Sequence, residues 1–308
     1  MPATQPNSSS RGYCVDKPNQ DCLHVSVLIT TKNEQIDLPG CLKSVAWCDD
    51  IHLFDSGSTD NTLAIAESFG AHVTQRTYPH SDAPFGGDEA AHRTWGLRNI
   101  PFKYEWVLLL DADERVTPEL VKAMHESLGS SQCSAYRIQR RDYFLGTWIR
   151  HVTPSPFNIR LIRPEAVHYE RIINPVTIVQ GEIQNLDAHF DHFPFSKGIS
   201  HWFAKHNSYS TFEAAHILAG GRTTGSASLT KALLAKDISE RRMHQKAIYY
   251  RLPFRPVVMF IGLYVLKRGF LDGRAGFVYA ALRAIYEYMI VLKVNEAKQH
   301  PATAGSLS

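Results

Sequence analysis

"WVLLLDADERV", residues 106–116, runs five apolar residues straight into Asp111, Asp113 and Glu114. A short, unbroken apolar run of this kind reads as a strand in a parallel sheet covered on both faces, where alternation with polar residues is not required. In open α/β sheets ligands bind beyond the carboxyl ends of the strands, and the two aspartates stand at such an end. On an extended segment, residues two apart share a face, so Asp111 and Asp113 are expected to point one way while Ala112 packs the other. Two like charges held close are costly unless a cation neutralises them, and hard oxygen ligands select Mg²⁺ or Mn²⁺, ions that commonly bridge a protein to a diphosphate. A bare Asp-Ala-Asp also reads as a solvated strand exit leading into the next helix.

Working outward, the chain alternates strand and helix patterns. "HVSVLIT" (24–30) reads as a strand, "QIDLPGCLKSVAW" (35–47) as a helix, "DIHLFDSGS" (50–58) as strand then loop, and "TDNTLAIAESFG" (59–70) as a helix with an acidic first turn and a glycine stop. "AHVTQRT" (71–77) is a strand, roughly 87–99 a helix, and "TPELVKAMHESLG" (117–129) a helix with Thr117 as cap and Pro118 in the first turn. This βαβ rhythm predicts a Rossmann-like layer over about 24–130, followed by a more strand-like stretch to about 193. Two further polar clusters, "TTKNE" (30–34) and "LFDSGSTDNT" (53–62), also fall at strand C-termini. In the second, an acid at the strand end can accept from a base or ribose, Gly57 permits close backbone approach, and Ser58 and Asp60 can cap the next helix.

The composition excludes several classes. With 33 basic and 30 acidic residues among 308, the net charge of +3 gives no sign of a nucleic-acid binder. The 44% hydrophobic content suffices for a packed core. Five cysteines (Cys14, Cys22, Cys41, Cys48 and Cys133), an odd number without a CxxC pair, argue against a disulfide framework or a zinc site and fit a reducing cytosol. The opening 1–22 is polar and rich in Pro, Ser and Asn, which reads as a flexible arm and not as a secretory signal.

In that order and spacing, "TTKNE", "LFDSGSTDNT" and "WVLLLDADERV" resemble the inverting family-two glycosyltransferases, and the later "KHNSYSTFEA" (205–214) and "YYRLPFRPVVMFIGLYVLKRGFLDGRAG" (249–276) are similar to bacterial members that extend lipopolysaccharide core or exopolysaccharide. The resemblance covers about 24–296. It implies a GT-A fold, an α/β Rossmann-like mostly parallel sheet flanked by helices, with a C-terminal amphipathic helical extension. It also implies a nucleotide-sugar donor, most often a UDP-sugar, and a divalent cation, Mg²⁺ or Mn²⁺.

Position by position, Thr30 and Glu34 match the motif around the nucleotide, Asp55 the acid that contacts the base, and Asp111 and Asp113 the donor and metal carboxylates. Glu114 belongs to the same pattern. "HRTWGLRN" (92–99) keeps the donor-side Arg93 but has Thr94 where relatives carry Asn. Inversion needs a general base for the acceptor hydroxyl. In "VHYERIINP" (167–175), Tyr169 interrupts the family's His-acid pair and makes Glu170 the match, with Glu182 in reserve. His192 in "HFDHFPFSKG" (189–198) resembles a late metal ligand, and Lys205 and His206 resemble diphosphate-side elements; Trp202 and Tyr209 read as core or acceptor-wall aromatics.

Between Lys246 and Lys298 nine Lys or Arg face three acids, so this segment carries +6 and the rest −3. "PVVMFIGLYVL" (256–266) is uncharged, but eleven residues at ~1.5 Å each reach about half of a ~30 Å hydrocarbon core. "AGFVYAALRAIYEYMIVLK" (275–293) is interrupted by Arg283 and Glu287, one helical turn apart and able to pair. An amphipathic region lying on an anionic membrane surface follows, with a helical hairpin packed on the catalytic domain as the other reading. The organisation expected is an arm (1–22), a catalytic domain (23–215, donor half 23–130 and acceptor half 131–215), a helical linker (216–245) and a basic amphipathic region (246–300). The expected function is transfer to a lipid-linked or glycan acceptor at the cytoplasmic face of the inner membrane, with no nucleic acid as partner. Two rivals are weaker. A DxDx(T/V) phosphatase would need Thr or Val where Arg115 stands, and a degenerate sugar-nucleotide binder recruiting partners to membranes would not keep all the donor carboxylates.

Overall fold

The computed structural model describes residues 23–77, 88–129, 132–170, 175–218, 228–234, 241, 244–245, 248–249, 252 and 254–299; the arm 1–22, Cys14, Cys22 and most of the linker expected at 216–245 lie outside the described residues. The elements are β1 (Val25–Thr31), α1 (Leu38–Ser44), β2 (Ile51–Asp55), α2 (Thr62–Ser68), β3 (His72–Gln75), α3 (Glu89–Asn99), β4 (Trp106–Asp111), β5 (Glu114–Val116) and α4 (Pro118–Leu128). There follow β6 (Ala135–Phe144), β7 (Thr147–Trp148), β8 (Phe157–Ile162), β9 (Val167–Glu170), β10 (Val176–Val179), β11 (Ile183–His192), α5 (Gly198–Leu218), α6 (Leu229–Leu234), α7 (Arg255–Ile261) and α8 (Gly273–Gln299).

One sheet joins the expected halves in the order β3-β2-β1-β4-β8-β6-β11-β5, with β7 folded back on β6. The first four strands are parallel, β8 is reversed, β6 and β11 run parallel to each other, and β5 is antiparallel to β11. β1, β2, β3, β4, β6 and β11 therefore all point one way, and their carboxyl ends collect on one side. The unbroken apolar text of β4 has a simple cause: Leu108 and Leu110 pack in one core layer with Leu38 and Leu42 of α1, while Val107 and Leu109 pack in the other with Phe54 and Leu97.

"WVLLLDADERV" is two strands and not one. β4 stops at Asp111, whose backbone N–H donates to Glu114 Oε2 (3.0 Å), and the chain turns before β5 pairs Glu114 with His192 of β11. The same-face argument for Asp111 and Asp113 therefore does not apply, because Asp113 sits in the turn. Thr117 caps α4 as expected, accepting from the N–H of Leu120. Ser58 is not a cap: α2 begins only at Thr62, whose N–H donates to Asp60 Oδ1 (3.0 Å), and the Ser58 hydroxyl bonds Asp55 and the N–H of Asn33 instead.

The C-terminal helices form a packed hairpin. Leu282, Tyr286 and Ile290 of α8 share a core with Phe144, Ile149 and Val152 of the sheet region and Trp202 of α5. Buried Asp272, just before α8, accepts from the N–H groups of His151 (2.9 Å) and Val152 (2.8 Å). The segment Gly269–Gln299 is long and apolar enough to cross a membrane by length and composition, yet one face is committed to protein. Apolar side chains of α7 and the turn between it and α8 are bare: Val257, Ile261, Leu266, Phe270 and Leu271 are 54%, 46%, 78%, 48% and 55% exposed. The pairing of Arg283 with Glu287 does not form. Glu287 is buried against Arg255 of α7 (2.6 Å), a charge-assisted contact shielded from water, and Arg283 lies over the Tyr286 ring at 5.1 Å.

Breaking a buried ion pair leaves an uncompensated charge, at a cost of about 3–5 kcal/mol. Glu287→Ala should therefore lower the unfolding free energy by that amount in denaturant titrations, whereas Arg283→Ala, which removes a ring contact, should cost less than about 1 kcal/mol.

Candidate functional site

Two adjacent threonines connect β1 to its neighbours on opposite faces. Thr30 donates to Asp111 Oδ1 (3.0 Å) and Thr31 to Asp55 Oδ1 (2.9 Å), because the register sets Thr30 beside Asp111 and Thr31 beside Asp55. Asp55 is 0% exposed, and its other oxygen accepts from the N–H groups of Gly57 (3.0 Å) and Ser58 (2.8 Å) and from Gln75 (3.2 Å). Burial raises its pKa, but these donors outweigh burial and the carboxyl lies below its usual range. Gly57, at φ 85°, supplies the left-handed turn that aims these N–H groups. Asp55 thus shapes the loop, with both oxygens engaged by the chain itself. The "TTKNE" loop joins the same ridge, since Asn33 Oδ1 accepts from the N–H of Thr59 (2.8 Å) and the N–H of Glu34 donates to Thr62 (2.8 Å).

Asp111 and Glu114 meet over one guanidinium. Arg160, at the centre of β8, donates to Asp111 Oδ2 (2.9 Å) and to Glu114 Oε1, while Arg93 of α3 reaches Asp111 Oδ1 at 3.5 Å. Burial raises the pKa of Asp111, but Arg160 and Arg93 outweigh it and hold the carboxyl well below the carboxylate range. Glu114 is 1% exposed, and burial prevails over Arg160, pushing its carboxyl up to about 7. Arg115 explains why neither Thr nor Val would serve there. Its guanidinium donates to the carbonyls of Ala112 (2.8 Å), Glu114 (2.8 Å) and Asp37 (2.9 Å), clamping the turn onto α1 against Gly40, where a Cβ would lie 2.5 Å from it.

Asp113 points elsewhere, into a cleft of about 260 Å³ that Glu34, Asp142, His192, Lys197 and Lys205 also line. The pairing of β11 with β5 and the Phe193 N–H bond to the Asp113 carbonyl (2.9 Å) bring His192 Nε2 to 3.4 Å from Asp113 Oδ2. His192 Nδ1 bonds Asp142 Oδ1 (2.6 Å), its register partner across β6 and β11. Burial disfavours the charged ring, but Asp113 and Asp142 outweigh burial and raise His192 to about 9. Glu34 is paired with Lys197 (2.6 Å), and burial raises its carboxyl.

His206 is fixed by its own helix, bonded to the Trp202 carbonyl (2.8 Å) and stacked on the Trp202 ring (3.8 Å). Glu182 precedes β11, whose ten residues at ~3.3 Å each separate it from His192, so it stands at the wrong end of the strand for a base. Glu170 ends β9, lying 3.3 Å from His168 and lining a separate cleft with Arg76, Trp95 and Tyr169. Tyr169 in turn lies under Arg93 at 5.9 Å. Sequence reasoning missed Arg160, Asp142 and the clamp by Arg115. The available signal was a cation or acid inside strand text, "NIRLIRPE" and "RRDYF", where burial obliges a partner.

Asp113 and His192 offer one hard oxygen and one imidazole in the wall of the cleft. That donor set suits Mn²⁺ or Mg²⁺ completed by diphosphate and water oxygens, and among the described residues no three His, Cys, Asp or Glu form a full protein cage.

The sequence model described as Glycosyl transferase family 2 matches residues 26–201. A lipopolysaccharide core biosynthesis glycosyltransferase, LpsC of Rhizobium meliloti, is 25% identical over 300 residues, covering 93% of this chain and 98% of that protein. An uncharacterized glycosyltransferase of Rickettsia bellii is 26% identical over 293 residues, 91% of this chain and 89% of that one. Among solved structures, S. aureus TarS 1-349 in complex with UDP-GlcNAc aligns over 86% of this chain and 91% of that chain at 15% identity, with a TM-score of 0.39.

The Glu114 carboxyl, raised from its ordinary 4.5 to about 7, gives a pH prediction. The folded chain holds this proton longer than the unfolded one, so the group's contribution to stability is present below pH 4.5 and is lost as pH rises through about 7. A ¹³C NMR titration of glutamate carboxyls should find one midpoint near that value, and it should vanish in Glu114→Gln.

Proposed function

The chain belongs to glycosyl transferase family 2, and from that premise we propose that it transfers a sugar, with inversion, from a UDP-sugar to a glycan or lipid-linked acceptor of lipopolysaccharide or exopolysaccharide type. The observation that carries the reading is the divided strand exit: Asp111 held ionised beside Thr30 and Arg93, and Asp113 turned into the cleft against His192. Asp113 and His192 would hold Mg²⁺ or Mn²⁺, which when bound supplies positive charge against the departing diphosphate. The chain's own groups do the rest. Asp142 fixes the ring of His192 so that Nε2 faces Asp113, and Lys205, whose field lowers the Asp113 pKa, places a cation on the diphosphate side. Thr30 and Glu34, at the end of β1 and in the loop after it, are assigned to the nucleotide.

The base in this reading is Glu170, because it follows Tyr169, which packs on Arg93 of the donor cluster. It would accept the proton of the acceptor hydroxyl as that oxygen attacks in line. Asp37, which lines the Asp113 cleft with a carboxyl raised by burial, is the alternative.

The proposed place of action is the cytoplasmic face of the inner membrane. What supports it is the exposed apolar face of α7 and the turn after it, flanked by Lys267, Arg268 and Arg274, each cation worth ~1 kcal/mol near an anionic leaflet.

Two experiments test this reading. In calorimetry Asp113→Asn should weaken Mn²⁺-dependent UDP binding about hundredfold or more, since even groups outside the first ligand sphere are worth ~10–100-fold. Glu170→Gln should keep UDP affinity and lose about 10²–10⁴-fold in turnover. Unchanged UDP affinity in the first variant would remove the metal reading, and less than tenfold loss in the second would move the base to Asp37. In flotation assays the full chain should bind vesicles containing anionic phospholipid and release in high salt, whereas Val257→Asp/Ile261→Asp/Leu266→Asp should stay unbound while melting normally. Equal flotation of that variant would refute surface attachment through this face.

A further inference from the structure

The cleft that holds Asp113 and His192 continues between α5 and α8, and its two ends differ in charge balance. At the sheet end every lining Lys or Arg has a carboxylate: Lys197 meets Glu34 at 2.6 Å and Arg140 meets Asp142 at 2.8 Å. At the helical end Lys205 and Arg283 have no carboxylate within ion-pair distance among the described residues. Their heads rest on aromatic rings instead, Lys205 over Tyr209 at 5.6 Å and Arg283 over Tyr286 at 5.1 Å. Both cations act on the His206 ring that lies between their helices. Tyr279, one turn before Arg283 on α8, lines the same end of the cleft.

A cavity that gathers unmatched cations is a receptor for an anion, and a half-buried tyrosine beside it offers a face to a sugar ring. Two phosphate sources are conceivable, the donor diphosphate and a phosphate on the acceptor. Arg283 and Tyr279 distinguish them by origin, because α8 lies wholly outside residues 26–201, the part that carries what the family has in common. Donor chemistry is the shared element of such a family, so a cation contributed by α8, which lies wholly beyond the matched residues, is assigned to the partner that varies. Resting on the glycosyltransferase reading above, we propose that the helical end of the cleft is an acceptor subsite for a phosphate-bearing sugar, with Arg283 on the phosphate and Tyr279 against the ring, Lys205 staying with the donor diphosphate.

The test is a ³¹P NMR titration of the full chain with glucose 6-phosphate, using Mg²⁺ and saturating UDP, whose phosphorus lines are separate from that of the sugar phosphate. Glucose 6-phosphate should bind while UDP stays bound. Arg283→Met should weaken it about tenfold, equivalent to ~1.4 kcal/mol, with UDP affinity changed less than twofold, and Arg283→Lys should retain most of the binding. Displacement of UDP by glucose 6-phosphate, or equal weakening of both ligands in Arg283→Met, would assign Arg283 to the donor diphosphate and overturn the proposal. Absence of any glucose 6-phosphate binding would also overturn it. The titration is repeated without UDP, so that a failure of UDP to bind counts against the donor reading alone and the sugar-phosphate result still decides the subsite.

Discussion

The site depends on one guanidinium. Arg160 enters from the reversed strand β8 and lies between Asp111 and Glu114, two carboxylates that repel each other when held this close. With their charge matched, Glu114 can turn inward and accept the N–H of Asp111, which ends β4 and closes the turn. Closing the turn releases Asp113 from the strand direction and commits the next three residues to an antiparallel pairing with β11. That pairing delivers His192 to Asp113. A single cation on an antiparallel strand thus converts the end of a parallel strand into a divided site, one carboxylate facing Thr30 and Arg93 and the other facing the cleft.

A second layer of wiring keeps the divided site rigid. Asp142 and His192 are register partners on parallel strands, so their hydrogen bond costs no loop ordering. Arg115 clamps the turn from the other side through three carbonyls, and Gly40 leaves room for it. Groups held on strands and a clamped turn are placed more firmly than groups on free loops, as a reaction that depends on alignment requires.

How much of this was legible follows from the range of each interaction. The βαβ rhythm, the Thr117 cap and the clustering of polar groups at strand ends are local, and the sequence carried them. The register of β5 against β11 joins residues far apart in the chain, and nothing local marks it, so "DADERV" read as a continuing strand and Glu182 read as near the site. Asp55 illustrates a subtler limit. Its position at a strand end was readable, but that both oxygens would be occupied depends on Thr31 and Ser58 meeting at one and Gly57 and Gln75 at the other. Arg283 and Glu287 show the same limit in a helix: their spacing permits a pair, and a stronger, drier partner from α7 took the acid.

The loss of that local pair has a structural consequence. Because Arg255 neutralises Glu287 inside the hairpin, Arg283 has no acid within ion-pair distance among the described residues and lines the cleft. The same exchange ties α7 to α8, so the exposed apolar side chains of α7 are held at a fixed attitude to the cleft wall that α8 supplies. A helix pair that only covered the core would have its charges turned to water and its apolar groups turned in. Here a buried ion pair stands inside the hairpin, an unmatched cation lines the cleft and apolar side chains face outward. In the proposed reading that arrangement lets one rigid element meet both the surface bearing the acceptor and the acceptor's own charge.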